Sequence, residues 1–259
     1  MLGAIAGDII GSIYEGNKKK AKYNFQLFGE LNRFTDDTVL TVATADSILN
    51  NTPFQKSYYD YANKYPSSGF GKNFIDWALS DNPKPYGSMG NGSAMRVSPI
   101  GWVVNSLEEA RNLAKSSAEV THNHHEGIRG AGIVACAIYL ARTTTSKEQI
   151  KDFVSSQNGY EMNFDYDDLV NNYGFDVLCS GSVPQAIFTF LISDSFEDSI
   201  RKAVTIGGDS DTITAINGSI AEAYYGFPGN WKEEVYKRLD SDLISVIEKF
   251  RNKFIVNYE

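Results

Sequence analysis

Two short runs carry the residues best suited to chemistry: Phe34-Thr35-Asp36-Asp37-Thr38 and Gly208-Asp209-Ser210-Asp211-Thr212. Each sets threonine and two aspartates at the head of a segment rich in small residues. Capping is one explanation, because short oxygen-bearing side chains accept from the free N–H groups of a first helical turn, and carboxylates suit its positive dipole end. Capping does not need four carboxylates, however. Consecutive helical residues point about 100° apart, so Asp36 and Asp37 could serve two neighbouring ions while Asp209 and Asp211 reach the same place from an opposing helix. Without cations, each pair of charges about 5 Å apart would repel by roughly 3 kcal/mol at an effective dielectric near 20. Divalent cations turn that repulsion into binding, and a set of carboxylate and hydroxyl oxygens suits Mg²⁺ or Mn²⁺ rather than zinc or copper.

Glu15, followed by Gly16, could close over such a site, although a glutamate at a helix end is an ordinary surface feature. Asp8 lies seven residues earlier on the same face, inside Ala6-Gly7-Asp8-Ile9-Ile10. A buried charge there is expensive unless paired, so Asp8 is expected to support the site from behind rather than react. The three histidines, His122, His124 and His125, fall within four positions. No cysteine or further ligand stands at zinc-finger spacing. His124 and His125 therefore read as the solvated start of a helix, and His122 as a substrate contact or a hydrogen-bonded polar residue. Cys136 and Cys179 lack metal or catalytic spacing and are expected to be buried, reduced thiols in a cytoplasmic protein.

The elements that must position these residues are helical. Apolar residues three and four apart predict helices near 2–14, 37–50, 55–64, 70–80, 107–119, 126–142, 147–156, 183–192, 196–205, 211–225 and 230–255, with little strand-like alternation. The fold class is all-α. Gly127 to Gly132 and Ala215 to Tyr224 are rich in Gly, Ala and Ser, which suits interior helices whose backbones approach closely. Ser80 to Pro99 is too rich in glycine and proline for a plain helix and reads as a long loop, of a length that is usually functional or disordered.

With 259 residues, 42% of them apolar, the chain can bury a large core, and no composition break divides it, so one domain over 1–259 is expected. The net charge of −8 argues against general nucleic-acid or membrane-surface binding. An anionic substrate would then need local help from metal ions, helix N-termini or backbone N–H groups. The apolar N-terminal run lacks a basic flank and contains Asp8, so it reads as a buried helix rather than a signal peptide. No apolar run approaches the roughly 20 residues that span a bilayer. Nothing points to an obligate interface, and a monomer is expected.

Together these pieces resemble the ADP-ribosylglycohydrolase family almost end to end. The resemblance rests on Gly3-Ala4-Ile5-Ala6-Gly7-Asp8 with Tyr14-Glu15, on Thr35-Asp36-Asp37, on Gly90-Asn91-Gly92-Ser93-Ala94-Met95-Arg96, on Thr121-His122, and on Gly207-Gly208-Asp209-Ser210-Asp211-Thr212. It implies an orthogonal all-α helix bundle with a binuclear magnesium or manganese site at one end of a cleft. It implies metal ligation by Thr35, Asp36, Asp37, Asp209, Asp211 and Thr212, with Glu15 on a mobile loop beside the metals. Gly87-Ser88 and Gly90-Asn91 would hold the diphosphate and adjoining ribose, with His122 close by. Met89 stands where some relatives carry an aromatic residue that stacks on adenine.

The implied activity is hydrolysis of the N- or O-glycosidic bond joining ADP-ribose to a protein side chain or small conjugate, which reverses ADP-ribosylation. Bound ions would orient the ribose hydroxyls, and a water activated with help from Asp36 or Asp37 would attack the anomeric carbon. Ligation would keep the aspartates ionised, leaving Glu15 as the acid if one is required. Two other readings use the same residues: a binuclear-metal hydrolase acting on phosphoryl bonds, and a non-catalytic, crystallin-like or ADP-ribose-binding protein.

Overall fold

A computed structural model describes residues 1–16, 20–144, 146–156 and 160–255. The helices among them are α1 (Leu2–Gly11), α2 (Asp36–Asn50), α3 (Phe54–Lys64), α4 (Lys72–Ala78) and α5 (Gly92–Met95). Next come α6 (Ser98–Val103), α7 (Leu107–Ala118), α8 (His125–Thr143), α9 (Lys147–Ser155) and α10 (Tyr166–Asn172). The chain finishes with α11 (Cys179–Leu191), α12 (Phe196–Ile206), α13 (Ser210–Tyr225), α14 (Gly229–Tyr236) and α15 (Ser241–Phe254). The described residues hold no strand, only an isolated antiparallel bridge between Gly90 and Leu178, so the all-α expectation holds.

Two of the three helices that carry the carboxylates, α1 and α13, are buried because neither has a polar face. All ten residues of α1 are buried, and α13 packs against α1, α8, α11 and α12. Their mutual contact depends on glycine. A Cβ on Gly3, Gly7 or Gly11 would come within 2.1, 2.1 and 2.4 Å of the carbonyl oxygens of Gly218, Thr214 and Ser210. The glycines recur every four residues, so they form one ridge, and the partners recur every four residues in the opposite direction along α13. This antiparallel seating brings the end of α1, and Glu15 beyond it, to the start of α13. Helix α2 packs against α1, α3 and α15, bringing Asp36 and Asp37 to the same end of the bundle.

Several boundaries differ from the periodicity. The segment 230–255 is two helices, not one: Asp240 Oδ1 accepts from the N–H groups of Asp242 and Leu243, both at 2.9 Å, and so starts α15 afresh. The glycine-rich 80–99 stretch contains α5 and the opening of α6, with Pro99 in the first turn of α6, where a missing N–H does no harm. Both helices, like α10, are too short to show a 3.6-residue period. Cys136 and Cys179 are free and buried, and His124 caps α8 through its Nδ1, which accepts from Glu126 N–H at 3.2 Å. No helix among the described residues is long and apolar enough to cross a membrane.

Candidate active site

A cleft of about 460 Å³ opens where these helix ends meet. Glu15, Thr35, Asp36, Asp37, Asp209, Asp211 and Thr212 line it at one end, and Ser88, Gly90, Asn91 and His122 form part of its wall. Of the residues expected to touch substrate, Gly87 and Met89 lie outside the lining. Gly87 turns with φ of +69° and donates its N–H to Asn123 Oδ1 at 2.7 Å, while Met89 is 40% exposed at the rim.

Asp8 lies behind the cleft, fully buried, and its carboxylate organises the start of α2. Oδ2 accepts from the backbone N–H groups of Thr35 (2.9 Å) and Thr38 (3.1 Å) and from the Thr38 hydroxyl. Oδ1 accepts from the Thr35 hydroxyl at 2.7 Å. Thr35 is the N-cap of α2, with Oγ1 3.4 Å from Asp37 N. Its proton goes to Asp8, which leaves its oxygen as an acceptor on the cleft side.

The aspartates do not serve mainly as caps. Asp209 stands at the N-cap of α13 but makes no capping bond; instead its Oδ2 accepts from Asn91 Nδ2 at 2.7 Å. The same amide reaches Ser182 Oγ at 3.0 Å. Asn91 thus fixes Asp209 in place. Thr212 Oγ1 donates to Asp37 Oδ2 at 3.2 Å, joining the heads of α13 and α2. Asp37 Oδ1 is buried with no partner. One carboxylate oxygen each from Glu15, Asp209 and Asp211 lies within 4.8 Å of the other two, so Glu15 stands at ligand distance from the pair. Residues 17–19, the continuation of the loop expected to move with Glu15, lie outside the described residues.

Electrostatics follow from this crowding. Burial, then the charges of Asp8, Asp209 and Glu15, push the Asp36 carboxyl up to about 8. Burial and then Asp211 raise Asp37 well above the carboxylate range, and burial and then Asp209 and Glu15 do the same to Asp211. Asp209 is raised by burial, against the bond from Asn91. Glu15 is raised by desolvation of its cleft side and then by Asp209. Among the described residues, no lysine or arginine forms an ion pair with any of these groups. Buried charges without a protein counter-charge are strongly unfavourable. An orphaned carboxylate oxygen on Asp37, an all-oxygen donor set and uncompensated negative charge together fit hard divalent cations.

Sequence reasoning missed part of this wall. The glycine-rich loop is held by a distant segment: Asn91 N–H donates to Val177 O at 2.8 Å, Cys179 N–H to Met89 O at 3.0 Å, and Cys179 Sγ to Gly90 O at 3.1 Å. Val177 also lines the cleft, as do Ser67 to Gly69 and Arg96. Asp176-Val177-Leu178 shows no periodicity that would have marked it.

Comparison with known proteins gives the family and the fold. Mouse ADP-ribosylhydrolase ARH3 is 25% identical to the chain, covering 95% of it and 88% of the mouse protein. The ADP-ribosylarginine hydrolase Tri1 of Pseudomonas putida is 23% identical, covering 91% of the chain and 72% of that protein. A solved structure described as an ADP-ribosylglycohydrolase-related protein complex superposes with a TM-score of 0.74 at 23% identity, over 97% of the chain and 95% of its own, and shares the fold. The ADP-ribosylglycohydrolase family model matches residues 1–259, and the chain belongs to that family.

Proposed function

We propose that the protein hydrolyses the glycosidic bond between ADP-ribose and a modified acceptor, either a protein side chain or a small conjugate, using two Mg²⁺ or Mn²⁺ ions. The observation that carries this reading is the convergence of carboxylates from three separate elements on one end of the cleft, around an unpartnered Asp37 oxygen. Thr35, Asp36, Asp37, Asp209, Asp211 and Thr212 would hold the ions. When bound, such a pair supplies Lewis acidity that orients ribose hydroxyls and makes a nearby water more acidic.

The remaining work falls to the chain's own groups. Asp8 keeps the Thr35 oxygen turned toward the cleft, and Asn91 keeps Asp209 in register. Glu15 stands beside Asp209 and Asp211 at the cleft, so its carboxyl is assigned proton transfer to the leaving group. Ser88, Gly90 and His122 line the wall on which the diphosphate would lie, and Gly87 and Met89 flank Ser88 in sequence outside that lining. The family relatives named for ADP-ribosyl hydrolysis support the hydrolysis of an ADP-ribose linkage. The whole reaction takes place within a single domain, in the cytoplasm, and needs no partner subunit.

Release of free ADP-ribose from arginine- and serine-ADP-ribosylated proteins, measured with Mg²⁺, Mn²⁺ or EDTA, tests the proposal. Metal-dependent release by the wild type and its loss in Asp211→Ala are expected. Failure of folded, metal-loaded wild type to release ADP-ribose from either conjugate, with turnover of a phosphate ester instead, would replace this reading with a phosphohydrolase.

A further inference from the structure

Arg96 is the most unusual charged group outside the carboxylate cluster. It is fully buried, yet no acidic side chain pairs with it. Its guanidinium lies 4.3 Å from the centre of the Tyr58 ring, and Nη2 donates to Ser117 O at 2.8 Å and to Thr121 Oγ1 at 3.1 Å. Nε and Nη1 are buried without partners. A guanidinium stays protonated and can only donate. The Thr121 oxygen must therefore accept from Arg96.

That direction is passed on. Thr121 Oγ1 lies 2.7 Å from His122 Nδ1. Of the groups at hydrogen-bond distance from this hydroxyl, Arg96 Nη2 can only donate and His122 Nδ1 can accept. The threonine proton is therefore assigned to Nδ1, which leaves the imidazole proton on Nε2. Burial, reinforced by the Arg96 charge, keeps the ring neutral by holding its pKa well below the usual range. The ring packs against two glycines: a Cβ on Gly92 would stand 3.3 Å from its Cε1 and Nε2, and one on Gly127 would stand 2.8 Å from its Cβ. Nε2 faces the Gly90–Gly92 turn, lines the cleft and has no hydrogen-bond partner among the described residues.

We infer that Arg96 and Thr121 are positioning residues that lock His122 as a neutral Nε2–H donor aimed at the Gly90–Gly92 wall, where it receives an anionic oxygen of the substrate's diphosphate. The diphosphate part rests on the proposed function; the locked tautomer does not. The arrangement answers the difficulty of an acidic protein holding an anionic ligand. A fixed dipole faces the ligand, with the buried Arg96 charge beside it in the cleft wall, where bulk water and salt screen it less.

The test uses full-length protein labelled with ¹⁵N-histidine, since only three histidines contribute signals. Long-range ¹H–¹⁵N spectra should show His122 with a protonated Nε2 and an unprotonated Nδ1 throughout pH 6 to 8. Thr121→Val keeps the side-chain shape but lacks the hydroxyl. It should shift the ring to a tautomer mixture and weaken binding of ADP-ribose in calorimetry by roughly tenfold, the effect of one lost hydrogen bond. Thr121→Ser should restore both. A wild-type Nδ1–H or mixed tautomer overturns the inference, as does an unchanged ring in Thr121→Val. If the tautomer is as stated but wild type binds no ADP-ribose, the diphosphate assignment and the hydrolase reading fall together and the relay stands.

Discussion

Asp8 and Asp37 are both buried carboxylates, but they are held in opposite ways, and their amide variants separate them. Asp8 accepts four hydrogen bonds from Thr35 and Thr38. In Asp8→Asn the carbonyl oxygen would take the three donors at Oδ2 and the NH₂ would face the Thr35 hydroxyl. That hydroxyl must then turn its proton toward the cleft. The expected outcome is a stability loss of about 1–2 kcal/mol in urea unfolding and a fall in Mg²⁺ affinity of about 10–100-fold by calorimetry. Asp37→Asn removes a charge that nothing in the protein neutralises. In EDTA it should be more stable than wild type by on the order of 1 kcal/mol, seen as a higher melting temperature, while losing metal-dependent turnover. Both aspartates were legible in the sequence because charge inside apolar or small-residue runs is anomalous. Arg96 was not: Ala94-Met95-Arg96-Val97 has no feature that separates a sealed guanidinium from a surface one.

At the scale of elements, the bundle depends on the close contact between α1 and α13. Gly7→Ala would set a methyl group 2.1 Å from Thr214 O, a contact only backbone movement can relieve. A loss of more than about 4 kcal/mol is expected, seen as aggregation or a collapsed urea midpoint. Gly132→Ala is the contrasting case, since that position in α8 has nothing within 4 Å of an added Cβ. It should raise stability by about 0.5–1 kcal/mol through helix propensity alone. The glycine spacing in α1 was visible in the sequence, but a four-residue period does not name the helix it meets. Nor does periodicity mark a break that a single side chain makes, which is why α14 and α15 read as one until Asp240 was seen capping the second.

For the whole molecule, the crowded carboxylates tie stability to pH and to metal. A carboxyl raised from 3.8 to about 8, as at Asp36, keeps its proton longer in the folded state than in the unfolded chain. Its contribution is therefore complete below about pH 4 and is lost as pH rises through 8. Asp37 and Asp211 shift in the same direction. In EDTA the melting temperature should fall between pH 5 and 8, and saturating Mg²⁺ should cancel most of that fall, adding about 2.7 kcal/mol at a hundred times its Kd. A melting temperature independent of both pH and Mg²⁺ would contradict the assignment of the cleft as a cation site.

The antiparallel seating of α1 on α13 also sets a timetable for synthesis. Translation at about 5–20 residues per second leaves the first helix waiting roughly 10–40 s for the segment it needs. During that interval α1, apolar with a single buried aspartate, lacks its main partner helix, and Asp8, Asp36 and Asp37 have no counterpart from α13. The nascent chain thus exposes the apolar surface of α1 and cannot assemble the cleft until Asp209 to Thr212 leave the ribosome. A chaperone that shields the emerging α1 should raise the yield of folded protein, and chains stalled before α13 should be inactive and prone to aggregate.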